Sequence, residues 1–173
     1  MKFRSTNYGF TVIELVAVLV LIGVLAVTSY SRWFSGDAFA STTTVADISS
    51  VARLAQRVAI SKPGNVITLE IDRVGDSWEL AVMEDDAGTI TTLFQIDNTS
   101  GNSISVSGVS GPVLLSTTNN LVINYDALGS LTNLVVGGTS LGASIGVAIS
   151  VSTDAPKAMC ISPVGFVHAG NCV

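Results

Sequence analysis

The run from Phe10 to Val27 constrains this chain more than any other feature: eighteen residues carry one charge, Glu14. At 1.5 Å rise per residue a helix of that length spans about 27 Å, close to the roughly 30 Å hydrocarbon thickness of a bilayer. The segment therefore reads as a membrane-spanning helix. A carboxylate opposes insertion by on the order of 2–3 kcal/mol at membrane depth and by less near the interface. Glu14 apart, no charged residue occurs between Phe10 and Arg32. Its partner must come from outside the helix, or from a charge created by processing. The rival reading is a secretory signal peptide, which has a shorter apolar region and an A-x-A-like cleavage site. Ala38 and Ala40 in "VTSYSRWFSGDAFA" have that spacing. A secreted adhesive β-domain is the corresponding alternative, although a plain signal sequence has no use for the acid.

The residues "GFTVIELVAVLVLIGVLA", Gly9 to Ala26, resemble the type IV prepilin signature: Gly, Phe, Thr-[Leu/Val]-Ile-Glu, then a long apolar run. In that family a dedicated peptidase cuts after the Gly on the cytoplasmic side and N-methylates the new Phe terminus. The resemblance implies a leader over residues 1–9, cleavage between Gly9 and Phe10, and methylation of Phe10. Glu14 becomes the fifth residue of the mature chain. Cleavage leaves an ammonium at the head of the helix, which Glu14 can pair with in its own chain or in a filament neighbour. An unpaired charge is expensive at low dielectric, so this pairing sets axial register. Glu14 is then an assembly residue and not a catalytic acid. Pilins of this type commonly carry a Gly and a Pro in the apolar helix; Gly23 matches the first, whereas Ser31 stands at the proline position. A straighter helix is expected.

Lys2 and Arg4 in the leader hold that end in the cytoplasm by the positive-inside rule. The body then lies in the periplasm, as a single-pass inner-membrane protein before it reaches the pilus and cell surface. Tyr30 and Trp33 fall where an interfacial aromatic belt is expected. Two cysteines, Cys160 and Cys172, have neither metal-site nor CxxC spacing. Reduced buried thiols suit a cytoplasmic body and a disulfide suits an oxidising one, so the periplasmic topology supports the disulfide. Closing that loop stabilises the C-terminal end by about 2–3 kcal/mol in the chain-entropy model. Its simplest role is structural, and an adhesive surface is the sharper alternative.

Beyond the apolar run the hydrophobic period stays helical. Val45, Ile48, Val51, Ala52, Ala55, Val58 and Ala59 recur at three- and four-residue intervals, with Arg53, Gln56 and Arg57 on other faces. "KPGN" ends the pattern. One helix from about Phe10 to Ser61 is expected; two helices broken near "SGDAFAS" are the alternative. The period then becomes two. Ile67, Leu69 and Ile71 alternate on one strand and Trp78, Leu80 and Val82 on the next, across a Gly75-Asp76 turn. "TITTLFQI" follows the "EDDAG" turn, and further strands are expected at Ser103–Val109, Leu121–Tyr125, Leu131–Val136, Ile145–Val151 and Ala158–Ile161. The expected fold is α+β, a long N-terminal helix packed on an antiparallel β-sheet head. The organisation reads as a leader (1–9), an apolar helix (10–35), an amphipathic continuation (36–62) and a β-rich head (63–173).

"LVINYDALGSL" and "KAMCISPVGFVHAG" resemble two stretches of minor pilins and pseudopilins of the secretion-pathway-H/FimT type, in which strands lead into Gly turns. The turn glycines here are Gly129 and Gly165, and Gly supplies the positive φ of a tight turn. With the cysteine pair, the resemblance implies a minor pilin of a pilus such as the mannose-sensitive haemagglutinin type. Its expected partners are other pilin subunits, the prepilin peptidase, the inner membrane and the pilus assembly machinery. An H-type pseudopilin of a type II secretion system is the alternative.

Some members of that group bind DNA through a basic C-terminal region. The chain beyond Gly9 has six basic residues against thirteen acidic, a net −7, with only Lys157 and His168 as candidate cations after Arg73. No nucleic acid is expected, since phosphate binding needs clustered Lys and Arg. No catalytic constellation, cofactor loop or zinc spacing is present, so the chain reads as a substrate of the peptidase and not as an enzyme. His168 and Trp78 read as a surface strand residue and a core residue. "EDDAG" and "DNTSGN" offer oxygens for calcium, but read first as exposed acidic turns.

Overall fold

The computed structural model describes residues 11–33, 36–108, 111–142, 146–152 and 156–172; the side chains of 27–33, 36–38 and 108 also lie outside that set. The leader, the Gly9–Phe10 junction and the Tyr30 and Trp33 side chains thus fall outside the described residues. The chain divides into two compact units, Met1–Gly36 and Asp37–Val173.

In the first unit, α1 runs from Val12 to Trp33. Gly23 lies inside it without interrupting the helix. Every described side chain from Thr11 to Ala26 is exposed, including Val12, Ile13, Leu19, Leu21 and Leu25. Among the described residues no helix is long and apolar enough to cross a membrane; Phe10 and the side chains of 27–33 are not among them.

In the second unit, α2 (Gly36–Ser61) buries Ile48, Val51, Ala52, Ala55 and Ala59, the stripe expected from the three- and four-residue spacing. Residues 34 and 35, between α1 and α2, are outside the described set.

Among the described residues eleven strands follow. β1 (Val66–Val74), β2 (Ser77–Asp86), β3 (Thr89–Asn98), β6 (Leu121–Tyr125), β7 (Leu131–Val136) and β8 (Thr139–Ser140) form a six-stranded sheet in the order β3-β2-β1-β6-β7-β8. β4 (Ser103–Gly108), β5 (Gly111–Leu114), β9 (Val147–Ser152), β10 (Lys157–Ile161) and β11 (Val167–Ala169) form a five-stranded sheet, β11-β10-β9-β4-β5. All pairings in both are antiparallel.

The head is therefore α+β, but it holds two sheets where one was expected. Alternation along a strand tells which side chains are buried; it does not tell which sheet the strand joins. Helix and both sheets share one apolar cluster, to which α2 supplies Ile48 and Val51, the larger sheet Leu69, Trp78 and Ile123, and the smaller sheet Val106, Ile149 and Met159. β5 and β8 lie outside the expected strands, and β11 holds His168, the expected surface strand residue, whose strand had no expected bounds. β5 contains Gly111 and Pro112 and lies at a sheet edge, where proline is tolerated. β8 and β11 are two and three residues long, too short to show a period.

"DNTSGN" is not an exposed acidic turn. Asn98 Nδ2 donates to Asp47 Oδ2 of α2 at 2.7 Å, and Asn102 Nδ2 donates to Thr44 Oγ1 at 3.0 Å. The Asn102 carbonyl accepts the Trp78 indole N–H at 2.8 Å. The segment ties the β3–β4 connection to the helix and satisfies the polar atom of a fully buried tryptophan.

Candidate assembly site

Thr11 and Glu14 form a capping box at the head of α1. The Thr11 amide and hydroxyl both donate to Glu14 Oε2 at 3.0 Å, and the Glu14 amide donates to Thr11 Oγ1 at 3.3 Å. Each side chain thereby satisfies a backbone N–H that the first helical turn leaves without an intrahelical acceptor. The T-x-x-E spelling of this motif stands in "TVIE", a signal that the reading of Glu14 as an assembly residue passed over. The carboxylate is held by Thr11, the residue that follows Phe10 in sequence, in the positive field of the helix N-terminus. Behind it runs an exposed aliphatic helix surface.

Cys160 and Cys172 are joined as a disulfide with Cα atoms 5.1 Å apart. Cys160 is buried on β10, and the bond ties the tail beyond β11 back to that strand. Gly146 leaves the space for it: a Cβ there would stand 3.0 Å from Cys172 Sγ and 3.3 Å from Cys160 Sγ. Nothing in the sequence singled out Gly146.

The two turn glycines, 36 residues apart in sequence, meet in space. In each turn the Gly amide donates to the carbonyl three residues back: Gly129 to Asp126 at 2.9 Å, Gly165 to Ser162 at 2.8 Å. Asp126 Oδ1 and Ser162 Oγ accept further amides of their own turns. Both glycines have φ of +78°. The Leu131 amide donates to the Pro163 carbonyl at 2.8 Å, linking one turn to the other. Gln56 of α2 joins them to the helix, its Nε2 donating to the Val164 carbonyl at 3.0 Å and the Gly129 carbonyl at 3.3 Å. Gln56 is half-buried at an unremarkable helix position, and no sequence signal distinguishes it.

The "EDDAG" segment is mostly strand, since Glu84, Asp85 and Asp86 close β2 and the turn proper is Ala87-Gly88. Glu84 is nearly buried and accepts hydrogen bonds from Lys62 Nζ and Asn65 Nδ2, each at 2.5 Å. Those bonds, Lys62 first, hold its carboxyl below the usual carboxylate range. Glu84 therefore fastens the segment after α2 to β2, its two oxygens taken up by Lys62 and Asn65. Trp78 is core, and His168 is on β11, stacked beside Phe166 with ring centroids 6.2 Å apart.

Residues 4–30 match the family model described as the prokaryotic N-terminal methylation motif. No curated protein matches the chain. Among solved structures, the type IV minor pilin FimU of Pseudomonas aeruginosa PAO1 is similar with a TM-score of 0.49 and 14% identity, over 75% of this chain and 92% of that one. The residues matched by the prokaryotic N-terminal methylation motif thus include the Thr11–Glu14 cap and α1 as far as residue 30.

Proposed function

We propose that this chain is a minor type IV pilin, a structural subunit that takes part in pilus initiation and assembly. The observation that carries the reading is the methylation motif over residues 4–30, on a helix whose apolar side chains are exposed from Val12 to Leu25. Such a surface requires lipid or other helices around it. In this reading residues 10–35 are held in the inner membrane and later in a filament core, with the β-rich head in the periplasm. The oxidising compartment suits the Cys160–Cys172 disulfide.

The leader peptidase cuts after Gly9 and methylates Phe10. The cut places an ammonium one residue before Thr11, whose amide Glu14 already holds. The carboxylate is then the nearest counter-charge, either to its own terminus or to that of a neighbouring subunit. Its role is to set register during assembly. Other pilins, the peptidase and the assembly machinery are the partners of this reading.

Mass spectrometry of the N-terminal peptide of the exported protein tests it. N-methyl-phenylalanine at residue 10 is expected. A mature chain that keeps its first nine residues, or begins near Ser41, overturns it. Glu14→Ala is expected to enter the membrane normally and to be lost from pili in a shear-fraction immunoblot.

A further inference from the structure

The larger sheet ends in a strand whose outer edge carries no partner among the described residues. β3 is that strand, and every side chain from Thr89 to Gln95 is exposed. "TITTLFQI", Thr89 to Ile96, holds no charge and no proline, two of the devices that keep a free edge from pairing. A bulge at Leu93, where the register passes from Met83↔Thr92 to Val82↔Phe94, kinks the edge without closing it.

Beyond the bulge the two faces of β3 differ in chemistry. Phe94 and Ile96 stand opposite the buried Val82 and Leu80, so they lie on the core face of the sheet, and Phe94 is still 39% exposed. Gln95 and Asp97 stand opposite Ala81 and Glu79 on the other face. Glu79 in turn stands opposite Asp72 of β1. Asp72, Glu79 and Asp97 thus form a row of carboxylates across three strands. Residues so opposed have Cβ atoms about 4.5–5.5 Å apart, and like charges there are destabilising. Among the described residues Lys62–Glu84 is the ion pair present, so the row has no counter-charge in the fold. Arg73, next in sequence to Asp72, lies over the Trp78 ring at 5.4 Å from its centroid and donates to the Gly75 carbonyl. β2 and β3 together hold five acids and no basic residue. The row is open only at β3, where a cation one strand further out would face Asp97.

These features set the chemistry of a partner. It is an extended segment, because a strand is what satisfies the free main-chain groups of an edge. It is apolar opposite Phe94 and Ile96, and carries Lys or Arg opposite Gln95 and Asp97. This chain does not supply such a segment. Within its described strands the basic residues Lys and Arg are Arg73 on β1 and Lys157 on β10, and both strands are already paired on their two sides.

We propose that the β3 edge, from Phe94 to Asp97, takes up an extended segment of a different protein in which apolar residues alternate with Lys or Arg. The segment continues the six-stranded sheet by main-chain pairing and ends the carboxylate row on a cation. The contact rests on the head alone and is independent of leader processing, so its failure leaves the pilin reading standing.

Binding of synthetic peptides to the full chain in detergent micelles tests it, read by fluorescence anisotropy and by amide hydrogen exchange. The probe is a short peptide of alternating valine and lysine. One control replaces lysine by glutamate. A second keeps the lysines and has every amide N-methylated, so it donates no main-chain hydrogen bond. The lysine peptide is expected to bind about tenfold more tightly than either control, and to slow exchange in β3 alone. Glu79→Lys with Asp97→Lys is expected to reverse the preference, so that the glutamate peptide binds and the lysine peptide does not; that gain also shows that the variant head is folded. No binding of the lysine peptide, equal binding of its N-methylated form, protection outside β3, or no reversal by the charge-swapped chain overturns the proposal.

Discussion

The carbonyl oxygen of Gly129 lies against Gly165 so closely that a methyl group on Gly165 would overlap it. Two turns from distant parts of the chain are thus packed backbone to backbone, with Gln56 clamping both to α2.

Gly165→Ala is expected to destabilise the head by on the order of 2–4 kcal/mol, because it combines a left-handed backbone with an overlap against a fixed carbonyl. A Cβ on Gly129 meets the side chains of Gln56 and Ile60, at 2.8 and 3.0 Å. Those side chains can turn aside, so Gly129→Ala is expected to lose less, about 1–2 kcal/mol. Urea unfolding followed by far-ultraviolet circular dichroism reads both. Equal midpoints for the two variants would contradict the close approach.

The disulfide should carry a separate share of stability. Replacing Cys160 and Cys172 together by serine is expected to lower unfolding free energy by about 3 kcal/mol. Reductant should bring the native chain down to that level and leave the double variant unmoved. Gly146→Ala is expected to weaken the native chain by crowding the bond.

Glu84 predicts a specific acid limb. Its carboxyl is held below its ordinary value of 4.5 by Lys62 and Asn65, so the folded chain binds its proton less readily than the unfolded chain. The stabilisation is therefore complete above that ordinary value and is lost as pH falls through the depressed folded one. Glu84→Gln should melt below the native chain at neutral pH, and the gap should close as the medium is acidified. A gap constant from neutral to strongly acidic pH would remove the assignment.

The β2–β3 hairpin holds a strained residue. Ala87 has φ of +52° beside Gly88 at +94°, the pair of left-handed residues that a two-residue primed turn requires. Ala87→Asn is expected to raise stability by about 0.5–1 kcal/mol, since Asn tolerates that region and Ala does not. Thermal unfolding measures it, and a fall in melting temperature would show that the turn gains nothing from the change.

Local patterns in the sequence found most of the elements but not their assembly. The alternation of Ile67, Leu69 and Ile71 marked β1, and the Val45-to-Ala59 spacing marked the buried stripe of α2, because burial of one face leaves a period in the residues themselves. The same patterns left β5 and β8 unplaced and drew no bounds for the strand that holds His168. They also read "DNTSGN" as an acidic surface turn, whereas Asn102 is buried against Thr44 and Trp78. A polar residue satisfied by a distant helix looks, in sequence, like any loop residue.

The sequence by itself determined the apolar N-terminal helix, its T-x-x-E cap, the tight Gly turns and the alternating strands. Each of these depends on neighbours within a few residues, so its physics is written locally. Only the tertiary structure decided that the strands divide between two sheets, that Gln56 holds the turns of Gly129 and Gly165 together, and that Gly146 makes room for the disulfide. Those outcomes depend on which distant surfaces fill one shared core without overlap, and close packing of that kind leaves no periodic mark along the chain.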